Sequence, residues 1–170
     1  MAGYNKLGKR QSIRDAIICN QVTALLWNGK VETTYARAKA VQRVAEKIIT
    51  LAVNTYQDTV TVKKTVVDDK GVKSKKEVIN DGPKKLAARR KIMAQVYDVQ
   101  EQRLPKEPKS EFIARTEDIK HPLLEKIFNV YAPKFAARKE ETGQGGGYTR
   151  VVKVGPRRGD AAEAAIIEII

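Results

Sequence analysis

The sequence has very little cysteine or histidine. Among its 170 residues there is one cysteine, Cys19, and one histidine, His121. A lone cysteine cannot form an internal disulfide, and this pair cannot build a Cys/His zinc site within one chain. Both scarcities are typical of a protein kept in a reducing compartment. We therefore expect neither a structural metal nor another cofactor.

Long apolar runs are missing as well. No stretch approaches the roughly 20 consecutive apolar residues that a membrane-spanning helix requires. Residues 1–10 are polar, and no apolar run with a small-residue cleavage site follows them, so a secretory signal is not indicated. These features predict a cytoplasmic protein without a membrane partner.

The residue arrangements of catalytic sites are also absent. The sequence shows no paired carboxylates, no metal-ligand spacing and no nucleophile with a nearby base. His121 precedes a predicted helix and is expected to be a cap or surface residue, and Cys19 is expected to be buried and inert. We predict a protein that is not an enzyme and has no small-molecule substrate. One rival stays open: an RNA-modifying or RNA-cleaving enzyme that depends on His121.

Positive charge is abundant. Lysine and arginine number 33 against 20 acidic residues, a net charge of +13. Such a density repels itself unless a polyanion shares the surface. Residues 55–82 and 99–122 together hold 11 basic and 10 acidic residues, which leaves +12 for the remainder. The uneven distribution favours a defined nucleic-acid footprint on that remainder.

The first third of the chain predicts a helix, a short strand and a second helix. Ser12 is expected to cap a helix that runs to about Trp27 and ends before Gly29. Val31 and Thr33 alternate with Glu32 as in a short strand, and Thr34 is expected to cap the helix over 36–53. The buried side of that second helix is predicted to consist of Ala38, Val41, Ala45, Ile48, Ile49 and Ala52.

Residues 55–82 predict a β-hairpin with its turn at 68–71, and Pro83 opens another helix. The buried side of this helix is predicted to contain Leu86, Ile92, Met93 and, after it, Val96. No acid lies between Lys84 and Lys91, and like charges one turn apart cost stability unless an anion compensates them. The cations predicted to bind nucleic acid here are Lys84, Lys85, Arg89 and Arg90.

Residues 99–122 are predicted to form an exposed, extended and irregular excursion. Pro122 opens a helix that Pro133 is expected to break, and a last turn presents Lys134 and Arg138 as further cationic contacts. The core side of this helix is predicted to consist of Leu123, Leu124, Ile127, Phe128 and Tyr131.

The last part of the chain predicts a glycine-rich loop over 143–147 and two antiparallel strands, 148–154 and 164–170. The glycines precede a strand, which differs from a nucleotide-binding loop that opens a helix. We expect Tyr148 to stack on a base and Arg150 to reach phosphate; a plain flexible connector is the alternative. Arg157 and Arg158 are expected to meet phosphates from a hairpin turn.

Several motifs together resemble the bacterial ribosomal protein L17 family. In the first half these are YNKLGKR at 4–10, VETT at 31–34, ARAK at 36–39 and AEKIITLA at 45–52. In the second half they are GGYTRVVK at 146–153, Gly155, RGD at 158–160 and IIEI at 166–169. The resemblance covers the chain apart from residues 55–82 and 99–122.

The resemblance implies one two-layer α+β domain over 1–170, interrupted by an inserted hairpin at about 55–82 and an irregular insertion at about 99–122. Helices should pack on a small mixed sheet made from the strand near Val31 and the C-terminal antiparallel pair. It also implies a structural place in the large ribosomal subunit near the nascent-chain exit, with large-subunit ribosomal RNA and neighbouring ribosomal proteins as partners. Another RNA-binding or DNA-binding basic protein without catalysis is the alternative. The RNA contacts implied by matching position are Lys6, Lys9, Arg10, Arg14, Arg37, Lys39, Arg43, Arg150, Lys153, Arg157 and Arg158.

Overall fold

The computed structural model describes residues 6–67, 73–117 and 119–170, with residues 66, 67 and 73–76 described in backbone only. Helices and strands follow one another in an α+β order. The elements are α1 Gln11–Asn28, β1 Lys30–Thr34, α2 Tyr35–Val53, β2 Thr59–Val67, β3 Lys73–Asp81, α3 Pro83–Met93, α4 Lys109–Thr116, α5 Pro122–Lys126, a π-helical turn Ile127–Tyr131, α6 Ala132–Thr142, β4 Thr149–Pro156 and β5 Glu163–Ile169. None of the helices in this described part has the length and hydropathy of a membrane span.

Helix α2 is the centre of the fold. It contacts α1, α3, α6, the π-helical turn and all three strands of the larger sheet. Because apolar residues recur at three- and four-residue spacing, one side of the helix is continuous apolar surface that must be buried. The six residues predicted for that side are all confirmed as buried, each at 1% exposure or less: Ala38, Val41, Ala45, Ile48, Ile49 and Ala52.

The larger sheet has the order β1-β5-β4, and both pairings are antiparallel. The expectation of a mixed sheet is therefore wrong, whereas the antiparallel C-terminal pair is confirmed. The direction of a five-residue strand is set by where its neighbouring helices pack, which local alternation does not encode. Helices cover one face of the sheet through α2, so the two-layer α+β arrangement is as expected.

Neither predicted side-chain cap forms. Helix α1 begins at Gln11 with Arg10 at the cap position, so Ser12 already lies in the first turn. Thr34 does occupy the cap position of α2, but its hydroxyl makes no capping hydrogen bond. The predicted end of α1 is confirmed, since Gly29 has a φ of 77° and its N–H donates to the Leu25 carbonyl.

The far end of α1 is held by side chains of the α5 region. The Tyr131 hydroxyl donates to the Leu26 carbonyl at 2.9 Å, and Lys126 Nζ donates to the Trp27 carbonyl at 2.6 Å. Burial raises the pKa of Tyr131, so its hydroxyl stays protonated as the donor. Carbonyls that helix ends leave unpaired are thus satisfied, and the Lys126 charge suits the negative end of the helix dipole.

The segment from Pro122 to Thr142 is one helical path, and the predicted break at Pro133 is wrong. The N–H of Ala132 donates to the Ile127 carbonyl five residues back, which forms the π turn. Pro133 then falls in the first turn of α6, where the missing N–H costs little. The predicted core side is confirmed, with Leu123, Leu124, Ile127, Phe128 and Tyr131 all buried.

The predicted hairpin is confirmed, with β2 and β3 paired in register from Thr59 opposite Asp81 to Val67 opposite Lys73. Its predicted turn at 68–71, and Val72 after it, lie outside the described residues. The expectation that 99–122 is extended and irregular throughout is wrong, because α4 forms within it. No residue of α4 is buried, and the helix is only eight residues long, so too little apolar surface marked it within the charged segment.

Candidate nucleic-acid interface

The outward side of α2 carries a row of cations. Lys39, Arg43 and Lys47 follow one another at four-residue spacing and are exposed, and Arg37 is half-buried at the start of the helix. Lys39 donates to the Gln42 amide oxygen at 3.1 Å. No acid in the described residues forms an ion pair with any of these cations. Lys39, Arg43 and Lys47 therefore share one basic surface, and Arg37 lies on another side of the helix.

A second group of cations precedes α1. Lys6, Lys9 and Arg10 are exposed, and the first turn of α1 contains no acid. The described acids make no ion pair with them either. Positive charge at the positive end of a helix dipole opposes helix stability, so stability does not account for the placement. An external anion at this end would compensate both the dipole and the side chains.

Helix α2 is fixed to the sheet by polar contacts that sequence analysis missed. Glu46 Oε1 accepts from the Thr149 backbone N–H at 2.8 Å and from its hydroxyl at 2.7 Å. Gln42 Nε2 donates to the Thr149 carbonyl at 3.2 Å, and Thr149 is only 5% exposed. The partners are more than 100 residues apart in sequence, so no local pattern could have indicated them. The row of cations on α2 thus stands on a rigid support.

The cations of the C-terminal hairpin are exposed, and most of them are paired with an acid. Arg150 donates to Glu168 at 2.9 and 2.7 Å while its side chain is 63% exposed. Lys153 lies 3.3 Å from Glu163, and Arg158 is exposed with no described partner. Because exposed ion pairs are weak, a phosphate can compete for these groups.

The turn between β4 and β5 holds the other predicted cation of this hairpin. Arg157 Nη2 lies 2.6 Å from Asp160 Oδ2, and both side chains are more than half exposed. The hydrogen bond from Arg157 lowers the pKa of Asp160, with help from the Ala162 N–H. The Asp160 carboxylate therefore orients Arg157 within the turn while leaving it open to solvent.

Tyr148 does not lie where the stacking role predicted for it would require. It is 4% exposed and packs on Phe135, with ring centroids 4.7 Å apart, so that prediction is wrong. Arg138 lies over both rings and donates to the carbonyls of Gly146 and Gly147. Its guanidinium therefore holds the glycine-rich loop in place, which also contradicts the reading of that loop as a plain flexible connector.

Two predicted contacts on α3 are taken up by internal ion pairs. Lys85 lies 2.8 Å from Asp81, and Arg89 lies 2.8 Å from Glu125, with the cationic side chains 12% and 18% exposed. Arg89 Nε also approaches Asp81 at 2.6 Å, in an orientation that makes an ion pair without a hydrogen bond. The absence of acids within α3 misled the prediction, because β3 and α5 supply them.

The predicted buried side of α3 is also largely wrong, because acids on other elements draw a cation inward. The inward stripe of the helix runs through Lys85, Ala88 and Ile92, so it includes a cation whose side chain is 12% exposed. Leu86 and Met93, predicted to be buried, are 41% and 43% exposed. Only Ile92 of the helical residues named for the core is confirmed there.

The remaining predicted contacts divide between surface and interior. Lys84 and Arg90 are exposed without a described acidic partner, and Lys134 is exposed while donating to the Ile170 carbonyl at 2.8 Å. Arg14 is 6% exposed, so the structure does not present it as a surface contact. It falls on the same helical stripe as Ile18 and Val22, which pack on the core.

Groups with catalytic potential are sparse in the described part of the chain. His121 Nδ1 lies 3.2 Å from Asp98 Oδ1, and the imidazole is 38% exposed beside the start of α5. Cys19 is half-buried, less enclosed than expected. The described His, Cys, Asp and Glu residues form no group of three or more that could hold a metal.

Comparison with known proteins decides the family. The model of the family described as ribosomal protein L17 matches residues 17–170. The chain is 40% identical to large ribosomal subunit protein bL17 of Lachnospira eligens over the full length of both chains. The bL17 proteins of Acetivibrio thermocellus and Clostridioides difficile are each 34% identical, again over the full length of both chains. The chain belongs to the ribosomal protein L17 family.

Membership of the L17 family confirms the resemblance found in the sequence. The family consists of structural proteins, so this L17-family chain is not an enzyme, and the RNA-modifying alternative falls. Full-length matches place residues 55–82 and 99–122 inside the matched length. The basic surfaces before α1 and on α2 are thus those of a ribosomal protein.

Proposed function

We propose that the chain is a structural constituent of the large ribosomal subunit, where it binds large-subunit ribosomal RNA and holds RNA segments in a fixed relative geometry. The protein is located in the cytoplasmic ribosome. Relatives that match over their full length carry the name of a large-subunit protein, which supports this assignment. The finer location near the nascent-chain exit, beside other ribosomal proteins, follows from the resemblance and belongs to the proposal.

One observation carries the RNA-binding part of the proposal. Lys39, Arg43 and Lys47 line one side of a helix whose acid, Glu46, is turned inward onto Thr149. The phosphates of a nucleic acid would lower the mutual repulsion of these cations, and binding would also release the counterions condensed on the phosphate backbone. Because α2 is packed on the sheet and on other helices, the cations stay in a fixed spatial pattern. A fixed pattern suits folded RNA, which is recognised largely through shape and backbone.

Co-sedimentation tests the ribosomal assignment. The chain is expected to travel with large subunits through a sucrose gradient after a moderate-salt wash and to be absent from the free-protein fractions. Recovery of the chain at the top of the gradient, with the other large-subunit proteins retained on the particle, would contradict the assignment.

Competition distinguishes RNA from DNA as the polymer. Labelled large-subunit RNA bound to the purified chain is expected to resist displacement by duplex DNA at equal phosphate concentration. Displacement as efficient as that by unlabelled RNA would favour the general DNA-binding alternative.

The position in the subunit can be tested with a cleavage reagent tethered at Cys19→Ser, Thr50→Cys, because Thr50 is an exposed residue of α2 that is not one of the cations. RNA scission is expected to cluster in segments that surround the exit region. Scission confined to the subunit interface would refute the location while leaving RNA binding intact.

A further inference from the structure

A groove between α2 and α3 forms a site that the sequence did not indicate. It encloses about 350 Å³ and is bounded by Lys47 and Leu51 on α2, Lys91 and Ile92 on α3, and Gln95 beyond α3. Ile48 and Ile92, each 1% exposed, close its floor. We infer that this groove binds the sugar-phosphate backbone of an RNA strand, with Lys47 and Lys91 holding phosphate from opposite walls. This inference rests on the proposed function and locates one of its contacts.

The charges of the groove fit a polyanion. Lys47 and Lys91 are both exposed, and no described acid forms an ion pair with either one. Their neighbours on the two helices, Arg43 and Arg90, are also exposed cations without described partners. An apolar peptide segment would leave all four positive charges without a counter-charge, whereas the phosphates of a nucleic-acid backbone would neutralise them. The occupant that the charges favour is therefore nucleic acid.

The pairing pattern of α3 supports the same conclusion. On the side that faces the hairpin and α5, Lys85 and Arg89 are satisfied by Asp81 and Glu125. The side that borders the groove receives no acid from any described element. The fold therefore supplies carboxylates to one side of this short helix and leaves the other side for an external anion.

The size of the groove suits a backbone segment of a nucleic acid. Ligand sites in proteins usually measure about 300–1,000 Å³, and this groove lies at the low end of that range. Its volume is enough to admit a nucleotide-sized group of an RNA strand. Leu51 offers an apolar contact for a ribose, and the Gln95 amide can donate to a phosphate or accept from a 2′-hydroxyl.

The test is the salt dependence of binding to protein-free large-subunit RNA. The double variant Lys47→Gln, Lys91→Gln removes two phosphate contacts, so the slope of log K against log salt is expected to fall by about 2. The matched control is Lys109→Gln, Lys120→Gln, which removes the same charge from exposed positions in residues 99–122. Its slope is expected to stay within about 0.5 of that of the unmodified chain. The variant Lys47→Arg, Lys91→Arg, which keeps the charge, is expected to retain the original slope.

Equal slopes for the groove variant and the control variant would overturn the inference. So would normal RNA binding by a groove variant that fails to enter large subunits, since that result would make the groove a protein contact. Failure of the unmodified chain to bind the RNA at all would refute the proposed function itself. Thermal unfolding of each variant shows whether the fold is intact, and these exposed positions are expected to change it little.

Discussion

The outer side of α2 and the segment 99–122 are both rich in cations, but they differ in where the neutralising acids lie. In the segment, Arg115 is bound by Glu101 and Glu107, and Glu107 also accepts from the Leu104 N–H at 2.9 Å. These hydrogen bonds, first that of Arg115, lower the pKa of Glu107. On α2 the carboxylate of Glu46 accepts a hydrogen bond from Thr149 on the inward side. No described carboxylate forms an ion pair with the outward cations.

The difference shows that a count of lysines and arginines does not define a binding surface. What defines it is the spatial separation of cations from carboxylates, because an internal acid satisfies the same donors that phosphate would. Segment counts of charge approximate this separation when pairs form within a segment, as in 99–122. They fail when the acid comes from elsewhere, as for Lys85 and Arg89.

The largest expected effect comes from reversing charge on α2. In Lys39→Glu, Arg43→Glu, affinity for large-subunit RNA should fall strongly, and the salt slope should fall by about 2, because two phosphate contacts become repulsive. The matched reversal in the other region is Lys106→Glu, Lys109→Glu, which should change the slope by less than about 0.5. Filter binding over a salt series measures both. Similar losses of RNA affinity in the two variants would show that the two regions do not differ in RNA binding.

The next effect separates two neighbouring arginines on α3. Arg89→Ala leaves Glu125 and Asp81 with a missing partner in a partly buried site and should lower the free energy of unfolding by roughly 2–3 kcal/mol. Arg90→Ala removes an exposed cation and should cost less than about 0.5 kcal/mol. In RNA binding the order should reverse, with the salt slope reduced for Arg90→Ala alone. Urea denaturation measures the stability of the two variants, and filter binding on the same samples measures their salt slopes.

A smaller effect concerns how the hairpin meets α3. Asp58 Oδ2 accepts from the backbone N–H groups of Lys84 at 2.8 Å and Lys85 at 3.2 Å, so it caps α3 from outside the helix. A Cβ at Gly82 would lie 2.4 Å from the Asp58 carboxylate. We expect Gly82→Ala to displace this cap and cost about 1–2 kcal/mol.

Hydrogen exchange at the amides of Lys84 and Lys85 measures that displacement directly, and it should accelerate in Gly82→Ala. The control is Gly159→Ala, where a new Cβ meets nothing within 4 Å, so stability should hold within about 0.5 kcal/mol. Unchanged exchange in Gly82→Ala would show that Asp58 does not cap the helix.

The smallest expected effect is a pH dependence in residues 99–122. Because the pKa of Glu107 is lowered on folding, its contribution to stability is present at neutral pH and is lost as pH falls through the folded pKa. In Arg115→Gln the pKa of Glu107 should return toward the ordinary glutamate range, since its main donor is gone. Carboxyl-carbon NMR titration of both proteins measures the shift. An unchanged titration would mean that Arg115 does not govern this carboxylate.

Sequence reasoning succeeded where burial is encoded by local periodicity. The helical spacing on α2 specifies one buried face, and a face can be predicted without knowing what covers it. The same holds for Phe128 and Tyr131 in the last long helical segment. These elements supply most of the core.

Prediction failed where the position of a side chain depends on a partner that is distant in the sequence. Tyr148 beside a glycine loop fits a stacking role as well as a core role, and only Phe135 and Arg138 decide between them. The direction of β1 and the buried position of Arg14 likewise depend on elements far along the chain. For the candidate interface, the unpaired cations on α2 were predictable and the groove beside α3 was not.

Fixing the base of the β2–β3 hairpin has a mechanical consequence. Nine paired residues in each strand extend roughly 30 Å at about 3.4 Å per residue, close to the width of a small domain. Asp58 and Asp81 clamp the root of this ribbon to α3, so its angle of departure is set by two carboxylates. The paired strands of the ribbon therefore leave the helices from a root that two carboxylates attach to α3.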